Sequence, residues 1–132
     1  MVTLDEISQL FYGAGEDAPG WQGSQEDLIS LAAKEFPGKP FCVVKQWILI
    51  DLIVTAEEKD KLTKLGLLPA TLYAHEVVLD SQGRFQPNMW VRSNFGVSST
   101  EYMFETKSTV YLLLGDGVRK KAELSTVFSF RA

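Results

Sequence analysis

His75 is the single histidine of the chain and the side chain best suited to move a proton near neutral pH. A working acid–base site would need a carboxylate such as Glu101 or Glu105 within hydrogen-bond reach of its ring. Glu76 adjoins it, but successive residues of a strand point to opposite faces. Cys42, the only cysteine, is a conceivable nucleophile for His75 to activate. Both lie in apolar stretches, where a thiol serves as inert packing. The reading is therefore a core histidine, with a pocket around His75 as the alternative. No catalytic residue is assigned, and His75 stays outside the site as a candidate.

Other catalytic patterns are missing. One cysteine and one histidine cannot build a typical structural zinc site, and no calcium-loop spacing occurs. Gly115-Asp116-Gly117 lacks the third glycine of a dinucleotide fingerprint and precedes a strand pattern, so it reads as a turn. No Gly-x-Ser-x-Gly or Walker-type motif is present. No cofactor and no metal are expected.

What remains are side chains suited to recognition. Asn88, Trp90 and Arg92 alternate along one predicted strand, and Arg119-Lys120-Lys121 reads as a short basic loop. Trp and Arg are enriched at interaction hot spots, so these six residues form the candidate binding surface for a protein partner. The net charge is -4 with a pI near 5.0, which argues against general nucleic-acid binding. The acids concentrate early: residues 1–33 carry Asp5, Glu6, Glu16, Asp17, Glu26 and Asp27 without any Lys or Arg. That third is suited to face a basic partner, or simply to remain a solvated surface.

The elements that position these residues follow from periodicity. Thr3 caps a helix with the stripe Leu4, Ile7, Leu10 and Phe11, ended by Gly13 and Gly15. Trp21 sits in a glycine-rich loop and is expected to anchor it to the core. A second helix starts at Ser24, buries Leu28, Leu31, Ala32 and Phe36, and stops at Pro37. Phe41 to Val54 is apolar on both alternating faces, as in a central strand covered on both sides. Thr55 and Glu58 form a capping box for a charged surface helix.

From residue 71 the pattern is β. Strands at 71–80 and 84–92 would pair through a loop with Gly83 at its left-handed position, with Asp80 opposite Arg84. That register places Tyr73, His75, Val77 and Leu79 inward with Phe85, Met89 and Val91, and Pro87 marks an edge. Strands at 100–106 and 109–114 follow. A last strand, 122–130, would present Leu124, Thr126, Phe128 and Phe130 on one face.

The stretch Trp90-Val91-Arg92-Ser93, then Phe104-Glu105-Thr106, then Thr109 to Gly115 with Gly117, Arg119 and Lys120, resembles a small uncharacterised family of Gram-negative bacteria, a domain of unknown function. The resemblance covers the last third of the chain. It implies a bacterial accessory protein and carries no activity.

The expected fold is a single α+β domain over residues 1–132. Two N-terminal helices and one surface helix pack on a mostly antiparallel sheet of five or six strands. The expected function is non-enzymatic protein–protein binding, of which an inhibitor or immunity-type protein is the specific form. A homodimer is a further option, and a small enzyme or ligand-binding domain is the alternative. With no apolar run near the ~20 residues that span a bilayer, no secretion signal and one unpaired cysteine, the expected place is the cytoplasm.

Overall fold

A computed structural model describes residues 2–129. In chain order the elements are α1 (Leu4–Tyr12), β1 (Glu16–Ala18), α2 (Gln25–Glu35), β2 (Phe41–Ile53) and α3 (Ala56–Lys64). They continue as β3 (Ala70–Asp80), β4 (Val91–Arg92), β5 (Ser98–Ser99), β6 (Met103–Glu105), β7 (Val110–Leu113), β8 (Gly117–Glu123) and α4 (Leu124–Val127). None of these helices is long and apolar enough to cross a membrane.

The helix ends are made by local chemistry. Thr3, Ser24 and Thr55 each accept a backbone N–H from the first turn that follows. Thr55 and Glu58 complete the capping box, and α3 buries none of its side chains. Gly66, past the end of α3, takes the left-handed φ of 72°.

The sheet is mixed and has eight strands, rather than the five or six mostly antiparallel ones expected. β2 is its axis. One edge pairs antiparallel with β3 along most of its length. The other edge pairs parallel with β7 over Phe41–Val44 and then parallel with β8 over Ile48–Ile53. Alternation of apolar residues reports which faces are covered, not which way a partner strand runs, so this arrangement leaves no mark in the pattern.

The ladder also closes on itself. β3 pairs with β4, and Ser93 and Gly96 donate to the carbonyls of Leu72 and Ala70. Val97 then donates to Glu105, β5 pairs with β6, β6 with β7, and β7 returns to β2. The ring encloses Cys42, Val44, Trp47, Leu49, Leu72, Ala74, Val77, Val91, Phe104, Tyr111 and Leu113. Closure leaves the strands of the ring without a free edge, while β1, paired with β8 alone, remains an edge of the sheet. Two further clusters lie outside the ring. α2 covers Val43, Val110 and Leu112, whereas α1 and α4 cover Ile48, Ile50, Leu52, Tyr73 and Ala122.

A dislocation crosses the sheet at its middle. Val44 and Trp47 face the same interior although they are three residues apart, as do Ala74 and Val77. Gln46 absorbs the change with a left-handed φ of 51°. On the neighbouring edge Val44 pairs with Leu113 and Ile48 with Val118, so that side holds one extra residue. Trp47 fills the resulting space. A Cβ on Gly117 would lie 2.3 Å from its ring, and one on Gly20 would lie 2.2 Å from the Gly115 carbonyl oxygen. Trp21 pins the same corner through backbone bonds with Leu113 and Gly115, which meets the expectation of an anchor.

Several expected strands differ. Residues 84–92 form a loop until β4, because Asp80 and Arg84 bind each other across a turn instead of across a ladder. A bulge near Val43 leaves Val78 as an extra residue on β3. Leu79 is consequently 40% exposed and Asp80 is buried, while Tyr73 and His75 sit on the outer face. The expected strand at 122–130 is β8 ending at Glu123, followed by α4, because β2 offers no partner beyond Ile53. Phe130 lies outside the described residues.

Candidate functional site

The outer face of β3, at the C-terminal end of α1, gathers most of the aromatic candidates. Phe11 stacks on Tyr73 at 4.5 Å, and Tyr12 stacks on the His75 ring at 5.7 Å. Trp90 lies 5.9 Å from Tyr73, and the Arg92 guanidinium covers the Phe128 ring at 4.3 Å. Such pairings add to the area they bury. Tyr12 is nonetheless 77% exposed and Met89 is 46% exposed, and His75, Trp90 and Arg92 are half-buried.

His75 is therefore half-buried on the outer face and not a core histidine. Its Nδ1 lies 3.3 Å from the Tyr73 hydroxyl. Burial holds the imidazole below its ordinary pKa, and the nearby Lys120 charge pushes the same way against a backbone hydrogen bond at Phe11. Of the two carboxylates suggested for it, Glu105 accepts from Lys39 at 2.6 Å and from Ser98 at 2.8 Å, and Glu101 is exposed and lines a hollow with Trp47 and Arg119. Burial likewise raises the Tyr73 hydroxyl, so both partners are uncharged at neutral pH.

Cys42 is sealed inside the ring, where burial pushes its thiol up to about 12. Its cross-strand partner is Asp80, and His75 lies five residues from Asp80 along β3, roughly 16 Å away. The two groups form no dyad. Among the described residues, no three His, Cys, Asp or Glu side chains converge as metal ligands.

Asn88, Trp90 and Arg92 do not alternate on one strand. Asn88 is an exposed turn residue with a φ of 72°, and Trp90 precedes β4. Arg119, Lys120 and Lys121 are strand residues of β8, not a loop, and each meets a different environment. Arg119 makes a bidentate pair with Asp51 at 2.6 and 2.8 Å. Lys121 is exposed. Lys120 is only 9% exposed, and its ammonium donates to the Leu10 carbonyl at 2.7 Å and the Gln9 carbonyl at 3.3 Å.

That contact is a helix C-cap supplied across the fold. The last carbonyls of a helix lack intrahelical donors and carry the negative end of its dipole. Lys120 meets them, and desolvation lowers its pKa. Nothing in the triplet Arg119-Lys120-Lys121 distinguishes its middle member. The signal would have been the parity of β8, which depends on the parallel pairing with β2.

Beside α1 lies an open cavity of 860 Å³. Asp5, Glu6 and Gln9 line it from the helix, and Asp51, Arg119 and Lys121 from the strands. His75 is not among its lining residues.

A domain of unknown function, DUF6957, matches residues 19–129. The chain belongs to the DUF6957 family. The match extends over most of the chain, not the last third alone, and begins after α1 and β1. No curated protein and no solved structure matches the chain.

Proposed function

We propose that this DUF6957 protein is a non-enzymatic binding module that engages a protein partner through the aromatic outer face. The observation that supports this reading is the exposure of Tyr12 stacked on the half-buried His75 ring, with half-buried Trp90 and Arg92 on the same face. Tyr, Trp and Arg are among the types enriched in interface cores, and here Tyr12, Trp90 and Arg92 share one face. The reactive groups weigh against the enzyme alternative: the thiol is buried and protonated, and the imidazole has a tyrosine rather than a carboxylate as neighbour. An inhibitor or immunity-type role in a bacterial cytoplasm is the specific form we favour, and the unpaired Cys42 suits a reducing compartment.

Affinity capture from the source cells, with tagged wild type beside Tyr12→Ser/Trp90→Ser, tests this reading. A partner held by the wild type and lost by the folded variant supports it. Equal retention by both, or no specific partner at all, overturns the proposed surface.

A further inference from the structure

α1 is held mainly by its last turn, with one hydrogen bond from Thr126 to Glu6 in its first turn. Leu10 is its only buried side chain, Ile7 is half-buried, and Leu4, which opens the apolar stripe, is 86% exposed. Its first turns stand over the 860 Å³ cavity instead of packing flush. A glycine-containing segment, Gly13-Ala14-Gly15, joins it to β1. The family match begins only at residue 19, although the surface beneath α1 lies within it.

That surface is shaped to receive a helix. Ile48, Ile50 and Tyr73 offer an apolar floor. Lys120 closes one end with an ammonium that is nine-tenths buried and aimed at helix C-terminal carbonyls. Among the described residues its ammonium makes no salt bridge with a carboxylate, so a helix terminus is what satisfies its charge. An apolar groove with a charged stop matches the helix-in-groove mode of recognition.

We propose that α1 is a displaceable occupant of this groove, and that the partner docks an amphipathic helix in its place, with its C-terminal carbonyls on Lys120. The proposal rests on the reading that this face binds a protein partner and names that partner's chemistry. Displacing α1 takes Tyr12 with it, so besides Lys120 the contacts left to the partner are Ile48, Ile50, Tyr73 and His75.

Two measurements test it on the full-length chain. Hydrogen exchange on the wild type should show α1 amides exchanging at least a hundredfold faster than those of β2. Equal protection of α1 and β2 overturns the proposal. The second probe is a fluorescent peptide of residues 1–15. It should bind the full-length Leu10→Glu variant, whose own helix is undocked, at least tenfold tighter than the wild type, and adding Lys120→Met should abolish the gain. Peptide binding that ignores both substitutions also overturns the proposal. A cellular partner captured equally by wild type and Lys120→Met removes the groove but leaves the binding reading intact. Absence of any partner removes the binding reading, while the exchange and peptide results still judge α1.

Discussion

The ring interior and the surface beneath α1 are both apolar, yet they are built differently. Inside, nearly every ring strand contributes a side chain, and Trp47 is clamped so closely that Gly20 and Gly117 have no room for a methyl group. Beneath α1, one buried leucine, two aromatic stacks, one lysine cap and a single Thr126–Glu6 hydrogen bond hold a whole helix. Dense packing makes the interior all-or-none, because every strand closes the ring for its neighbours. The outer face can open while the ring persists, since local openings draw on regions with few buried contacts. A binding surface belongs in the second kind of region.

The contrast predicts graded effects. Phe104→Ala should cost about 4 kcal/mol and unfold the chain cooperatively, because the ring side chain is fully buried. Denaturant titration followed by intrinsic fluorescence would show it, and a loss below about 1 kcal/mol would contradict a sealed core. Gly117→Ala should cost about 3 kcal/mol through the Trp47 clash, measured in the same way.

Asp80→Ala should cost about 2 kcal/mol. The Asp80 carboxylate accepts the Arg84 backbone N–H at 2.7 Å and its guanidinium at 2.8 and 3.0 Å, and its removal leaves those donors unmatched. Leu10→Ala should lose about 2 kcal/mol or less, visible as faster exchange of α1 alone, because undocking the helix limits the penalty.

The smallest effect should come from pH. The folded imidazole of His75 has a pKa below its ordinary value near 6.5, so the unfolded chain binds the extra proton first. Stability present above about pH 6.5 should therefore decline as pH falls through that value. The groups facing the ring are Tyr12, Tyr73, the Phe11 ring and backbone and the Lys120 ammonium. His75→Phe should flatten this part of the profile in melts between pH 5 and 8. An unchanged slope would show that His75 is not the group responsible.

Much of the local structure was legible in the chain. The caps at Thr3, Ser24 and Thr55, the stop at Gly66 and the extent of β2 all follow from residue types within one turn or strand. Strand 84–92 was misread because its turn signals and alternation suited a hairpin, whereas Asp80 and Arg84 satisfy each other within the loop. Placing His75 inward failed because alternation was extended through a bulge and a dislocation. The candidate site was legible in residue type alone. Residue type points to Trp90, Arg92 and His75 but does not group Tyr12 with them, since nothing in one strand's pattern says that α1 ends above it.

The sequence by itself determined where helices start, which segment forms the long buried strand, and that Cys42 has no disulfide partner within the chain. Those outcomes depend on hydrogen bonds and side chains within a few residues of one another, or on a count. Only the tertiary structure decided that β7 and β8 run parallel to β2, that the ladder closes into a ring, and that Lys120 faces α1 and is buried by it while Arg119 and Lys121 stay exposed. Each of these depends on which face a residue presents, and a shift of one residue reverses that face. Partners remote in sequence set the parity, so no local window contains it.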